Sequence, residues 1–167
     1  TRFLLHLGIL HREQNEFSKS EEVLRKVIEL EPDHSDARLY IALAKRANGE
    51  REDAKALLEV AEEIDGQNAN YKKWLGLLSL ETGDLVAALE YTNNSIELDP
   101  LDISVYSQLG TICNEMDDFG LAEKSYAAGL KIDPDDMRCL AGLASTFIKL
   151  GKLDEAKREI IEANRKG

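Results

Sequence analysis

An all-α protein of about ten helices, arranged as five stacked helical pairs, is predicted by three observations. The first is a phrase that recurs at a fixed interval: Ile28-Glu29-Leu30-Glu31-Pro32, Ile64-Asp65-Gly66, Ile96-Glu97-Leu98-Asp99-Pro100 and Leu130-Lys131-Ile132-Asp133-Pro134, with Pro32, Gly66, Pro100 and Pro134 each 34 residues apart. Each phrase is an apolar helix ending, then an acid, then a residue that does not comfortably continue a helix. The second is the recurrence of apolar residues at three- and four-residue spacing, as in Leu75 and Leu78 and in Leu85, Leu89 and Ile96, with no long stretch of period-two alternation. The third is a turn residue midway through each unit: Gly49, Gly83 and Gly151, with Asn15 and Asp117 in the other two. All three residue types tolerate a left-handed turn. A fixed period of this length means units that bury their apolar faces against neighbours, not one conventional core.

The registers run 1–34, 35–68, 69–102, 103–136 and 137–167. Their first helices are expected over 2–14, 36–48, 70–82, 104–116 and 138–150, and their second helices over 17–30, 51–64, 85–98, 119–132 and 153–165. Asp102 and Asp136, two residues past a proline, and Asn68 in the second junction are placed to cap the helix that follows. Gly66 leaves that junction without its proline, which makes it the expected most pliable point of the array.

Columns of equivalent positions describe the packing. In the first helices Leu7, Ile41, Leu75, Leu109 and Leu143 are large, and beside them Gly8, Ala42, Gly76, Gly110 and Ala144 are small. In the second helices Ser20, Ala54, Ala88, Ala122 and Ala156 are small, while Leu24, Leu58, Tyr126 and Ile160 are large and Thr92 is the exception. A small column lets two helix backbones approach while the large column fills the gap. Phe17, Leu85, Phe119 and Leu153 lead into the second helices, with Arg51 the outlier.

These residues resemble the tetratricopeptide repeat (TPR) family, whose signature is large–Leu–Gly, an aromatic, Ala, an aromatic, Ala and Pro across 34 residues. The resemblance spans the whole chain in five in-phase copies. Departures are local: Arg38 and Lys72 stand where a Trp or other large apolar residue is usual, Gly66 replaces the proline, and Ser95 and Gly129 stand where a late Ala is usual. The resemblance implies one domain over 1–167, a right-handed α-solenoid of five helix-turn-helix repeats whose first helices line a concave groove. Both ends fall at repeat boundaries, so the sequence reads as a fragment of a longer protein.

Composition narrows the function. The chain of 167 residues is 43% apolar and 32% charged, with a formal net charge of −11. That acidity opposes phosphate backbones and anionic lipid, so no nucleic-acid partner is expected. No apolar run approaches the ~20 residues that span a bilayer, so no membrane insertion is expected. A soluble protein, with the cytoplasm as the favoured compartment, is the resulting expectation. Cys113 and Cys139 read as buried reduced thiols; their register positions on neighbouring helices put them about 12 Å apart, beyond disulfide reach. His6, His11 and His34 form no close pair on one helix face, and the junction acids lack the spacing of a calcium loop. No phosphate loop or nucleophile motif is present. No enzyme activity, cofactor or metal is expected.

The expected function is a protein-interaction scaffold that takes a peptide or helix of a partner protein in the groove. The alternatives are a module that stacks into homo-oligomers through its repeat ends, or a recruiting domain of a larger enzyme. Groove candidates are first-helix residues outside the packing columns. One column is His6, Tyr40, Trp74, Gln108 and Gly142; a second supplies Lys73; a third is Ile9, Leu43, Leu77 and Thr111; Arg138 joins them from the last repeat. Aromatic and aliphatic groups thus gather in the first three registers, while small and polar ones occupy the last two. For Trp74 two readings compete: an anchor for a partner, since aromatics dominate interface hot spots, or local packing over Lys72, Lys73 or the neighbouring helix. Arg2, Arg12, Arg46, Lys73 and Arg138 would suit a partner carrying carboxylates, against the competing reading of paired, solvated charges such as Arg12 with Glu13. The carboxylate clamp of some family members is matched by Lys73 but not by Leu77 or Gly142, and no asparagine ladder is present.

Overall fold

The computed structural model describes residues 1–166 and consists of ten α-helices: α1 (Arg2–Glu13), α2 (Phe17–Leu30), α3 (Ser35–Ala47), α4 (Arg51–Ile64), α5 (Ala69–Glu81), α6 (Leu85–Leu98), α7 (Ile103–Glu115), α8 (Phe119–Ile132), α9 (Met137–Lys149) and α10 (Leu153–Lys166). The expected helix ends hold to within a single residue, and the described residues contain no strand. The helices group into two compact units, Thr1–Gly83 with α1 to α5, and a second from Asp84 onward with α6 to α10. Within each unit every helix packs on the next, and first helices also meet, α1 with α3 and α7 with α9.

The turn inside each repeat follows from its left-handed residue. Asn15 and Asp117 have φ of 61° and 58°, and Gly49, Gly83 and Gly151 lie between 73° and 86°. Two reverse hydrogen bonds fasten the turn after α1: Asn15 N–H donates to the Arg12 carbonyl at 2.9 Å and Glu16 N–H to the His11 carbonyl at 2.8 Å. The pattern satisfies carbonyls that a helix end leaves orphaned. It recurs after α3, α7 and α9, where Glu50, Asp118 and Lys152 donate to Lys45, Cys113 and Phe147.

The caps foreseen at Asn68, Asp102 and Asp136 form, accepting from the N–H groups of Asn70, Ser104 and Cys139. His34, Asp84 and Asp118 cap α3, α6 and α8 in the same way. Burial alone would raise the Asp136 carboxyl, but hydrogen bonds from Arg138 and from the Cys139 N–H take it below the ordinary carboxylate value. Between repeats, Glu31, Asp65, Asp99 and Asp133 take one non-helical backbone, with φ of −135°, −138°, −139° and −132° and ψ of 87°, 77°, 90° and 104°. A residue before proline is kept out of the helical region. Asp65 adopts the same backbone without one, so the Gly66 junction has the backbone of its proline counterparts.

The size alternation does the expected work in packing. A methyl group placed on Gly8 would collide with the Leu24 side chain, and Ser20 Oγ donates to the Gly8 carbonyl at 2.8 Å, locking α1 to α2. In the second unit a methyl on Gly110 would lie 2.6 Å from the Tyr126 ring, and one on Gly129 would lie 2.6 Å from Cys139 Sγ. Cys113 and Cys139 are free and buried. Burial, with the carboxylate of Asp136 next, pushes the Cys139 thiol up to about 12. It is therefore protonated and inert at neutral pH.

Candidate functional site

Positions three, four and seven apart share one face of a helix. On α1 these are Leu5, Ile9 and Arg12; on α3, Leu39, Leu43 and Arg46; on α5, Lys73, Leu77 and Leu80. All are half-buried except Leu39, which is buried. Tyr40 and Trp74 flank the stripe and are half-buried too. Each ring carries a cation from the preceding first helix. Arg12 Cζ lies 5.7 Å from the centre of Tyr40, and Arg46 Cζ lies 5.6 Å from that of Trp74. The pairs are one repeat apart, so the same positions make the same contact twice. A guanidinium over an aromatic face is held by the ring quadrupole and gives up less hydration than an ammonium would.

The two arginines differ in their second partner. Arg46 grips the Glu81 carboxylate, with Nε at 3.0 and 3.1 Å from its two oxygens and Nη2 at 2.5 Å from Oε1, and Arg51 Nε adds a contact at 3.3 Å. Arg12 Nε is buried and has no hydrogen-bond partner among the described residues. The expected pairing of Arg12 with Glu13 is not among its contacts; its partner is the Tyr40 ring. Nearby cations are committed elsewhere: Lys45 donates to Glu50 at 2.5 Å and to Asp53 at 3.2 Å. The Glu50 bond, opposed by burial and helped by Asp53, raises the Lys45 ammonium above the ordinary lysine value. Lys72 pairs with Glu62. At the start of α5, the buried Tyr71 hydroxyl meets Ser35 Oγ and Asp36 Oδ1 at 2.9 Å, and burial pushes it up to about 12.

The second unit solves the same positions with neutral groups. Gln108 was expected in the groove; it is buried, and its amide donates to Thr92 Oγ1 at 2.8 Å. The long Gln108 side chain reaches the short one of Thr92, which accounts for the exception in the large column. One repeat later the sizes invert: Tyr126 stands where Thr92 did, and its ring lies where any Gly142 side chain would go. The Tyr126 hydroxyl lies 3.2 Å from Thr111 Oγ1 and receives Asn114 Nδ2 at 3.5 Å, and Asn114 Nδ2 also donates to Thr146 Oγ1 at 3.0 Å. Thr111 is exposed and donates to the Ser107 carbonyl. Arg138 is exposed but ion-paired with the capping Asp136 at 2.9 Å. His6 is exposed, and its Nδ1 donates to the Arg2 carbonyl at 2.8 Å.

Of the ten candidate residues, the first unit thus collects His6, Ile9, Tyr40, Leu43, Lys73, Trp74 and Leu77, and the second contains Gln108, Thr111 and Arg138. The arginine stacks were not foreseen as pairs. Their signal was present in the sequence: arginine recurs one period apart at 12 and 46, and an aromatic recurs one period apart at 40 and 74.

Comparison with known proteins agrees with the repeat. Two family models described as tetratricopeptide repeat match residues 11–78 and 103–136, which together exceed half of the chain. The chain belongs to the tetratricopeptide repeat family. The Caenorhabditis elegans tetratricopeptide repeat-containing protein trd-1 is 22% identical over 153 residues; that stretch is 92% of this chain but 19% of trd-1, so the chain spans about a fifth of that relative. Among solved TPR structures, MamA superposes with a TM-score of 0.84 at 21% identity, covering 95% of this chain and 93% of MamA. The Pseudomonas aeruginosa protein pilF gives a TM-score of 0.91 at 18% identity, covering 99% and 76%. YrrB, described as a TPR protein with an unusual peptide-binding site, gives 0.77 at 19% identity, covering 96% and 82%. At these identities the likeness establishes the all-α TPR fold.

No described helix is long and apolar enough to cross a membrane.

Proposed function

We propose that this TPR chain is an interaction scaffold and that the first-helix face of the unit Thr1–Gly83 takes a helix or extended peptide of a partner protein. The observation that carries the reading is the half-buried row of Ile9, Leu43 and Leu77 beside Tyr40 and Trp74. Such a row gives a partner apolar area, and the arginine lids give it charge to recognise. The peptide-binding site for which YrrB is described is consistent with this use of the fold. Thr111 and Arg138 offer a second-unit partner little apolar area, and Gln108 is committed to Thr92.

A partner identified by affinity capture and mass spectrometry supplies the ligand for the test. Trp74→Ala is expected to weaken its binding by at least about 2 kcal/mol. Unchanged affinity together with a lower melting temperature would assign Trp74 to packing alone.

A second reading, self-assembly, draws on α10, where Leu153, Ile160 and Ile161 are 57%, 43% and 53% exposed. An apolar face of this kind buries itself against another surface. Light scattering against concentration decides between the two readings; a monomer at high concentration removes self-assembly.

A further inference from the structure

Glu81 is 34 residues on from Ala47, just as Arg46 is from Arg12 and Trp74 from Tyr40. The later set is complete: cation, ring and carboxylate touch, with Glu81 held by both Arg46 and Arg51. The earlier set has the cation and the ring, but at the carboxylate position the chain supplies the methyl group of Ala47, and Phe17 stands at the position equivalent to Arg51. Arg12 Nε is the atom left without a hydrogen bond. A buried donor with no acceptor carries a desolvation cost that an incoming carboxylate removes.

We propose that Arg12, stacked on Tyr40, binds a carboxylate side chain of the partner segment, which takes the place beside Ala47 that Glu81 takes beside Arg46. This rests on the groove reading above and adds the chemistry of the ligand to it. The Arg46–Glu81 pair is the template for its geometry, a guanidinium meeting both oxygens of one carboxylate while its face rests on a ring. Arg12 as a whole is half-buried, and its terminal nitrogens stand beside Nε as further donors for the same carboxylate. The neighbouring acids define the segment further. Glu16 is occupied by His11 at 2.6 Å and Lys19 at 2.7 Å, while Glu13 is exposed beside Arg12 and the chain carries −11 overall. An acidic run is repelled strongly by that field, whereas one Glu among apolar residues is repelled far less, and its apolar neighbours meet Ile9 and Leu43.

The test uses the full chain and two end-blocked peptides, acetyl-Leu-Leu-Glu-Leu-amide and its Gln twin, followed by the arginine Nε–H resonances in NMR titrations. The Arg12 resonance, assigned by its loss in Arg12→Gln, is expected to shift saturably with the Glu peptide. Affinity is expected to fall at least about tenfold for the Gln peptide and for Arg12→Gln protein. Ala47→Glu places a carboxylate from the chain itself beside Arg12, so it should keep the helical circular dichroism and also lose the Glu peptide at least about tenfold. Equal affinity for both peptides, no shift of Arg12, or undiminished binding by Ala47→Glu would each overturn the carboxylate site. Equal affinity would do so while leaving the groove reading intact, since that reading stands or falls on Trp74→Ala with the captured partner.

Discussion

In the unit Thr1–Gly83 the rings beside the first-helix stripe come from the first helices themselves, Tyr40 and Trp74, and arginines lie over them. In the unit from Asp84 onward the ring comes from a second helix: Tyr126 fills the space at Gly110 and Gly142, and its hydroxyl is met by Thr111 and Asn114. Asn114 is two periods on from Arg46 and Gly142 two periods on from Trp74. The same backbone period therefore supports two packings. In one, cations and half-buried aromatics stay at the surface of the face; in the other, neutral hydrogen bonds close it. The difference is why the proposed binding face is placed on the first unit.

The largest expected effect breaks the second packing. Tyr126→Ala empties the space between two glycines and should cost about 3–5 kcal/mol in denaturant unfolding. Tyr40→Ala removes a half-buried ring and should cost about 1–2 kcal/mol. Equal losses would mean that the two rings do the same structural work. Next, the Thr92–Gln108 pair can be copied one repeat on. Tyr126→Thr and Gly142→Gln should each destabilise, and the double variant should recover about 0.5–3 kcal/mol relative to their sum. Strict additivity would show that the inverted sizes are unrelated.

Smaller effects probe the charges and the junctions. Glu81→Gln leaves Arg46 over Trp74 without its ion pair; because both side chains are partly exposed, the cost should be about 1 kcal/mol, and 1 M salt should shrink it. A loss that salt leaves unchanged would point to packing by the Glu81 stem instead. Gly66→Pro gives the second junction the residue found at Pro32, Pro100 and Pro134, at a site where Asp65 already has nearly the backbone of Glu31 before Pro32. It should stabilise by about 0.4–1 kcal/mol and slow hydrogen exchange around the junction. Exchange around Gly66 that is already no faster than around Pro100 would show that the missing proline does not loosen it.

Most of the architecture was legible because periodicity carries it. The turn residues, the terminal acids and the small columns each repeat, and one repeat teaches the next. Helix ends were therefore placed to within a residue. The cap at His34 escaped because histidine is not an ordinary capping type, and those at Asp84 and Asp118 because Glu16, Glu50 and Lys152 hold the equivalent positions. The candidate face was read less completely for a different reason. Treating a column as one environment placed Gln108 beside Tyr40 and Trp74, yet the depth of a residue depends on the size of its neighbour in the preceding second helix. Beside Thr92 a long side chain turns inward; beside Tyr126 no side chain fits at all. Columns give the direction of a side chain, and pairs across columns give its depth.

The proposed placement of binding on the first unit is tested most directly by measuring partner affinity in Trp74→Ala and Thr111→Ala side by side, with unfolding recorded for both. The account predicts a loss of at least about 2 kcal/mol for Trp74→Ala and less than about 0.5 kcal/mol for Thr111→Ala. A larger loss at Thr111, or affinity unmoved at Trp74 while its stability falls, would contradict it.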